Sequence, residues 1–175
     1  ASSAASDVYK RQIVVFIGST DRNREFAANP LYAQFLTTEV IKHIEGRFNI
    51  DKSPDKRAIM GVGLSAVMAL YTTWRHPGKF ERALMQSGRF IFTDVGDHGL
   101  GSDWDALVGF VNSIREAPML PKTIYLSCGV FDSMIYYNRT MAHIWEREPI
   151  QFRYVESKDG HNWVSWRDRL REGLT

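Results

Sequence analysis

Short apolar runs alternate with segments of helical periodicity along most of the chain, and this alternation restricts the fold more than any other feature. Residues 13–17, IVVFI, form a continuous β-branched and aromatic run that is typical of a strand buried on both faces. The same pattern predicts strands at residues 58–62, 82–86, 123–127 and 150–155, and helices at residues 30–48, 64–76, 103–116, 134–148 and 164–173. Elements in this order pair in parallel through right-handed crossovers. The sequence therefore predicts an α/β fold with a mostly parallel, five-stranded sheet flanked by helices.

Length and composition predict one domain. A chain of 175 residues can bury one sizeable hydrophobic core and is too short for two domains of ordinary size, so we assign residues 13–175 to a single domain. Residues 1–12 are small and polar, and we predict that they are a tail or a fragment junction. They lack the basic start and apolar centre of a signal peptide. The single cysteine, Cys128, excludes an internal disulfide framework, and together these features lead us to expect a cytoplasmic protein.

The charge and hydropathy patterns exclude several classes of partner. The formal net charge is +2 and the chain has no long basic run, so no nucleic-acid partner is expected. No apolar run approaches the roughly 18 residues of a membrane span, so no membrane partner is expected either. No two histidines or acids have the short spacing of a metal site, and we predict no bound metal.

The segment GVGLSAV, at residues 61–67, has the pattern of a strand that turns sharply into a helix. Many hydrolases place a nucleophilic serine at the apex of such a turn, in the motif G-x-S-x-G. Here the apex position is Gly63, and Ser65 follows two residues later. Because glycine has no side chain with which to attack a carbonyl carbon, the position of the nucleophile is vacant in this sequence.

Two further candidate residues follow later strands. Sites in open parallel sheets lie at the carboxyl ends of the strands. The segment SCGVFDS, which contains Asp132, follows the fourth predicted strand, and SKDGHNWVSW, which contains His161, follows the fifth. This order of turn, acid and histidine is that of nucleophile, carboxylate and base in the α/β-hydrolases, where the carboxylate fixes the imidazole tautomer. The alternatives are a helix N-cap for Asp132 and a loop histidine with a structural partner for His161.

The other four histidines are weaker candidates. His76 is predicted to end a helix, where a positive charge is favourable. His43 and His143 lie in predicted helices, where surface or packing roles are the simplest explanation. His98 lies in a loop rich in glycine and aspartate and is the second candidate for a base.

Four segments together carry a resemblance to a known family. RAIMGVGLSAVMALYTTWRHPGKF, LMQSG, YLSCGVFDSMIYYNRTMA and SKDGHNWVSWRDRL resemble the putative-esterase branch of the α/β-hydrolases, and the likeness extends over nearly all of residues 13–175. This branch includes enterochelin esterases, esterase D-like enzymes and feruloyl-esterase-like domains. The resemblance implies hydrolysis of carboxylic esters without a cofactor. It also implies that Asp132 is the acid, that His161 is the base and that the backbone N–H of Leu64 belongs to the oxyanion hole.

The chain departs from the family pattern in two ways. The pattern would place serine at position 63 and glycine at position 65, whereas this chain has Gly63 and Ser65. In addition, the family fold has further strands before the one predicted at residues 13–17, and a loop after one of them usually donates an oxyanion-hole N–H. Compared with the family, the resemblance therefore implies an N-terminally truncated α/β-hydrolase fold.

Three sources of a nucleophile stay open. Ser65 takes the role if the turn shifts by two residues, although a serine in the first helical turn commonly bonds to local backbone. Ser87, which follows the third predicted strand, is a second substitute. Water activated directly by His161 and Asp132 is the third route, and it is slower than covalent catalysis.

Two functions remain as alternatives. The first is a carboxylic-ester hydrolase with an altered nucleophile turn, which acts on small-molecule or polymeric esters. Aromatic residues close to the predicted catalytic loops favour bulky aryl or polymeric substrates: Tyr136, Tyr137, Trp163 and Trp166. The second is a catalytically inactive, hydrolase-like scaffold or binding protein, and the glycine at position 63 favours it.

The missing strands predict an exposed edge in the sheet. In the family fold a strand lies between the one predicted at residues 13–17 and the one at residues 58–62. An open apolar edge pairs readily with another chain. We therefore expect either that residues 13–17 move in to pair with residues 58–62, or that two copies of the chain associate at this edge as a homo-oligomer.

Overall fold

The computed structural model describes residues 12–93, 99 and 101–174. In this part of the chain the strands are β1 (Ala58–Val62), β2 (Arg82–Gln86), β3 (Thr123–Gly129) and β4 (Gln151–Ser157). The helices are α1 (Arg22–Phe26), α2 (Pro30–Gln34), α3 (Ile41–Arg47), α4 (Leu64–Arg75), α5 (Asp105–Glu116), α6 (Ile135–Trp145) and α7 (Trp163–Leu174). A π-helical segment, Phe35–Val40, joins α2 to α3, and short 3₁₀ turns cover Pro54–Lys56 and Ser102–Trp104.

The four strands form one parallel sheet in the order β1-β2-β3-β4. Their register aligns Val62 with Gln86, Gln86 with Ser127 and Ser127 with Val155. The carboxyl ends of all four strands therefore meet at one edge, where the following loops come together. The predicted α/β class and the parallel sheet are confirmed, and the strand count is four instead of five.

The prediction of a strand at residues 13–17 is wrong. These residues form no regular secondary structure, and their side chains are exposed, up to 94% for Phe16. They do not pair with β1, whose strand partner in the described part of the chain is β2 alone. An apolar sequence favours a strand, but a strand also needs a neighbour for its N–H and C=O groups. Residues 13–17 have no such neighbour in this fold.

Helices cover both faces of the sheet. Successive side chains of a strand point to opposite faces, so the apolar strands have side chains to bury on each face. Met85 and Leu126 belong to the main core cluster, together with residues of α4, α5 and α6. Leu84 and Tyr125, one position away, lie against α7, where even a methyl group added to Gly173 would overlap them. The sheet is therefore the middle layer of three.

Local sequence signals explain where several helices begin. The side chain of Asn29 accepts hydrogen bonds from the N–H groups of Leu31 and Tyr32, and Pro30 occupies the first turn of α2. Helix α4 is apolar on nearly all sides and is buried along most of its length, as its sequence predicts. Asn162 caps α7, because its Oδ1 accepts a hydrogen bond from the N–H of Ser165 at 3.0 Å.

Two predicted features fall on residues outside the described part of the chain. The tail predicted at residues 1–12 lies outside the described residues except for Gln12, and His98 lies outside them as well. None of the helices in the described residues is long and apolar enough to span a membrane. The assignment of residues 13–175 to one domain stays a prediction.

Candidate active site

The turn between β1 and α4 is sharp, and hydrogen bonds fix it on several sides. Gly63 lies at its apex with φ 59° and ψ −117°, a backbone conformation that residues other than glycine rarely adopt. Its N–H donates to the carbonyl of Gln86 at 2.9 Å, and its carbonyl accepts from the N–H of Arg89 at 3.1 Å. Leu64 begins α4, and the N–H groups of a first helical turn have no acceptor within the helix. The turn therefore places the amino end of α4 at the carboxyl edge of the sheet.

Asp132 and His161 meet at the same edge. Asp132 follows β3 and its side chain is completely buried. Both of its carboxylate oxygens lie 3.0 Å from Nδ1 of His161. Oδ1 also accepts the N–H of Met134 at 2.8 Å, just before α6 begins at Ile135. Both contacts anticipated for Asp132, with the histidine and with the start of the helix, are therefore present together.

His161 presents its other nitrogen to solvent and to the turn. Its side chain is 42% exposed, and the carboxylate of Asp132 accepts a hydrogen bond from the Nδ1–H group. In the neutral imidazole, a proton on Nδ1 leaves Nε2 as an acceptor. The ring of Trp166 packs perpendicular to the imidazole, with the ring centroids 4.8 Å apart and an interplanar angle of 88°. The imidazole is therefore held on two sides, with Nε2 available as a base.

Position 63 points directly at this base. A methyl group built on the Cα of Gly63 would lie 3.8 Å from Nε2 of His161 and 3.7 Å from Cε1. A side chain one atom longer, such as that of serine, would bring its hydroxyl within hydrogen-bond distance of Nε2. The structure thus brings the turn, His161 and Asp132 together in the geometry of a nucleophile, a base and an acid. Glycine occupies the position of the nucleophile.

Ser65 does not take the place of the missing nucleophile in this geometry. Its Oγ donates to the carbonyl of Val62 at 2.9 Å and accepts from the N–H of Val62 at the same distance. Among the described residues it has no hydrogen bond to His161. Ser65 as nucleophile stays a proposal, and these two bonds weigh against it, because a hydroxyl in the first helical turn has bonded to the local backbone.

Ser87 is also held away from the base. It is 1% exposed, and its Oγ accepts the indole N–H of Trp166 at 2.9 Å. Its backbone has a φ of 50°, which is uncommon for a residue with a side chain. Ser87 as a substitute nucleophile stays a proposal, and its burial and the hydrogen bond that its Oγ accepts weigh against it.

The thiol of Cys128 is a potential nucleophile near the site, and its burial keeps it unreactive. It lies on β3 as a free, buried thiol. Burial raises its pKa to about 12, with a smaller contribution from the negative charge of Asp132. Since the thiolate is the reactive form, Cys128 cannot supply the missing nucleophile near neutral pH.

His43, His76 and His143 lie within the described residues, and one expectation about them needs correction. His43 and His143 are exposed on helices, and Nε2 of His143 lies 2.9 Å from a guanidinium nitrogen of Arg147. His76 follows the last residue of α4, where a positive charge was expected to be favourable. Burial, followed by the charges of Arg75 and Lys79, instead lowers its pKa and opposes that charge.

Large exposed aromatic side chains flank the Asp132–His161 pair. Trp163 is 78% exposed and packs its ring against Trp166, with the centroids 5.2 Å apart. Phe131 is 77% exposed, and its N–H donates to the carbonyl of Asp159, in the loop that leads to His161. Tyr136 is also exposed, whereas Tyr137 is partly buried. The sequence reasoning missed Phe131, although its position next to Asp132 was the available signal.

Other parts of the described chain offer weaker sites. No cluster of three or more His, Cys, Asp or Glu residues in the described ranges could hold a metal ion. An open cavity of about 520 Å³ lies at the amino ends of the strands, next to Arg82, Thr123 and Gln151. This is the opposite end of the sheet from His161. The carboxyl edge therefore holds the better-organised group of reactive side chains.

The fold and the arrangement of the turn, acid and histidine define a chain of the α/β-hydrolase type. The model of the putative esterase family matches residues 3–175, and the chain belongs to that family. It is 23% identical to an acetyl esterase from Caldicellulosiruptor saccharolyticus, with 77% of this chain and 59% of that protein covered. The chain thus spans less than two thirds of the length of this curated relative.

Solved structures of esterases share the fold. An enterobactin esterase from Shigella flexneri superposes with a TM-score of 0.72 at 21% identity, over 90% of this chain and 41% of that one. A ferulic acid esterase superposes with a TM-score of 0.65 at 20% identity, over 81% of this chain and 58% of that one. At these identities the likeness concerns the fold alone.

Proposed function

We propose that this chain carries the ester-hydrolysing site of a carboxylic-ester hydrolase in which His161 activates a water molecule in place of a serine. The observation that carries the proposal is the position of Gly63. A side chain there would point at Nε2 of His161, only 3.8 Å from the site of its Cβ atom. Glycine leaves this approach open to a small nucleophile, while Asp132 holds the imidazole in the tautomer of a general base.

The proposed reaction uses the groups at the carboxyl edge in turn. Nε2 of His161 takes a proton from water as the water oxygen bonds to the ester carbonyl carbon, and the carbonyl π electrons move to oxygen. The N–H of Leu64, at the positive end of α4, stabilises this oxyanion. Asp132 stabilises the imidazolium. When the tetrahedral intermediate collapses, the bond to the alcohol oxygen breaks and His161 returns its proton to that oxygen.

The exposed aromatic residues support esters with bulky aryl groups or polymeric esters as substrates. Trp163 and Phe131 present large apolar surfaces, Trp163 two residues after His161 and Phe131 through a backbone bond to Asp159 in the loop before it. Aromatic rings at a surface are suited to stacking against flat apolar groups. The names of two structural relatives, an enterobactin esterase and a ferulic acid esterase, are in keeping with such substrates.

A second candidate function is a binding protein that holds an ester without turnover. Its support is the same residue, because Gly63 has no nucleophilic side chain and Ser65 and Ser87 bond elsewhere. The aromatic surface would then bind the ligand, and the Asp132–His161 pair would be a retained but idle feature. The two functions differ in one measurable property, the dependence of turnover on His161.

Hydrolysis of p-nitrophenyl acetate by the chain and by its His161→Ala and Ser65→Ala variants tests the proposal. We expect measurable turnover by the unaltered chain, no turnover above the uncatalysed rate in His161→Ala, and activity retained in Ser65→Ala. A serine-directed fluorophosphonate should leave the unaltered chain unlabelled, as judged by mass spectrometry of its peptides. If the unaltered chain and His161→Ala hydrolyse the ester equally slowly, the binding function is correct instead.

A further inference from the structure

The imidazole of His161 is connected to the sheet through a chain of contacts that does not include Asp132. The ring of Trp166 stands perpendicular to the imidazole, with the centroids 4.8 Å apart. The indole N–H of Trp166 donates to Oγ of Ser87 at 2.9 Å. Ser87 directly follows the last residue of β2, so its position is fixed by the sheet. The contacts therefore run from the sheet through a serine and a tryptophan to the base.

We propose that Ser87 and Trp166 are positioning residues that hold the imidazole of His161 in the orientation required of a general base. The inference rests on the proposed function, since it describes the support of the same base. Asp132 bonds to Nδ1 at one corner of the ring, and contact at one corner restricts a swing of the ring less than contact at two points does. The perpendicular indole blocks this swing, so that Nε2 stays directed at position 63.

The backbone conformation of Ser87 indicates that its hydroxyl is the reason why serine, and not glycine, occupies this position. With φ at 50°, Ser87 has a conformation that glycine adopts without cost, whereas a residue with a Cβ is strained. The neighbouring backbone enforces this conformation, because the N–H of Ser87 donates to Ser127 and both backbone groups of Gly88 bond to the side chain of Asn138. A serine in this place supplies what glycine cannot, namely an acceptor for the indole N–H.

Trp166 is held at a second point by the same strand. Its backbone carbonyl accepts a hydrogen bond from Nε2 of Gln86 at 2.9 Å, and the side chain of Gln86 is completely buried. Consecutive residues at the end of β2 thus bind the carbonyl and the indole of one tryptophan. This double attachment fixes both the start of α7 and the ring that faces His161.

Nuclear magnetic resonance of the imidazole nitrogens in the chain with Gly63 unchanged tests the inference without reference to turnover. The variants are Ser87→Ala, which removes the acceptor of the indole N–H of Trp166, and Trp166→Phe, which keeps a ring but removes the indole N–H. We expect both to shift the tautomer ratio of His161 away from the Nδ1–H form and to make the Nδ1 proton exchange with water severalfold faster. Ring-current shifts are not used, because replacing an indole changes them in any case.

The control is Trp163→Phe, which alters the outer ring that contacts Trp166 and leaves Ser87, Trp166 and His161 in place. It should leave the tautomer ratio and the proton exchange of His161 unchanged. The inference is overturned if Ser87→Ala and Trp166→Phe are folded and their His161 behaves as in the unaltered chain. A separate assay of ester hydrolysis decides the proposed function, because the imidazole signals answer the positioning question even in a chain without turnover.

Discussion

At the scale of single residues, Gly63 determines both the shape and the chemistry of the site. Its φ of 59° and ψ of −117° suit glycine, whereas any residue with a Cβ is strained in this conformation. A serine here would combine backbone strain with a hydroxyl aimed at His161. The glycine of this chain therefore removes the strain and the covalent nucleophile together, and leaves the acid and the base in position.

Replacement of Gly63 by serine should convert the site to covalent chemistry. The new hydroxyl would reach hydrogen-bond distance of Nε2 of His161. We expect faster hydrolysis of p-nitrophenyl acetate and labelling of residue 63 by a fluorophosphonate. Backbone strain should lower the free energy of unfolding in urea by about 1–3 kcal/mol.

Gly63→Ala is the matched control for this change, because it adds the same Cβ without the hydroxyl. It should show the same loss of unfolding free energy and neither labelling nor faster turnover. If the Gly63→Ser variant is folded but is not labelled, position 63 does not face His161, contrary to the structure.

Chain order alone predicted that Asp132 and His161 would lie close together, as their side chains do, because it places their loops at the carboxyl edge of a parallel sheet. The hydrogen-bond partners of Ser65 and Ser87 were harder to predict, because a hydroxyl bonds to whatever lies nearby in the fold. Ser87 bonds to the indole of Trp166, which lies 79 positions further along the chain. No local pattern contains that contact, whereas the bond between Ser65 and Val62 spans three positions and could be anticipated.

At the scale of elements, the helix that follows His161 supports the site as much as the strands do. Helix α7 begins at Trp163, two residues after the base. Asn162 lies between them, and its side chain caps the N–H of Ser165. The cap therefore determines where the helix begins and how the loop that carries His161 enters it.

Asn162→Ala should lower the free energy of unfolding by about 1 kcal/mol, as expected for loss of a helix cap. It should also lower the rate of ester hydrolysis, because the loop next to the cap carries His161. Asn29→Ala is the control for the loss of a cap, since Asn29 caps α2 through its Oδ1, also donates to the carbonyl of Arg24 and is not part of the site. Denaturant unfolding and p-nitrophenyl acetate turnover check both variants. Equal stability losses with unchanged turnover in Asn162→Ala would contradict the link between the cap and the base.

Elements also show why strand prediction succeeded for four segments and failed for one. Strands β1 to β4 were anticipated because each apolar run is followed by a helix that returns the chain to the sheet. Residues 13–17 have an equally apolar sequence but no partner strand, and they remain exposed. The intrinsic preference of a segment for β structure cannot supply the neighbour that completes its hydrogen bonds.

At the scale of the whole molecule, two apolar features stay uncovered in the described part of the chain. The outer edge of β1 has no strand partner, and Met60 on this strand is 44% exposed. Residues 13–17 form a second exposed apolar segment. Exposed edges and apolar segments of this kind favour association with another chain. The expectation of a homo-oligomer through the sheet edge therefore stays a proposal with a specific partner, a second copy of this chain.

Sedimentation velocity over a range of concentrations should detect a dimer of this chain, with residues 13–17 of one copy against the β1 edge of the other. Burial of a side chain as large as Phe16 contributes about 1.5–3 kcal/mol. Phe16→Lys should therefore weaken the dimer about 10- to 100-fold, and Met60→Lys should weaken it from the opposite side of the same contact. The control is Leu31→Lys, which charges an exposed apolar residue on α2, outside both features. A chain that sediments as a monomer at every concentration would exclude the dimer, and equal weakening by Leu31→Lys would place the contact elsewhere.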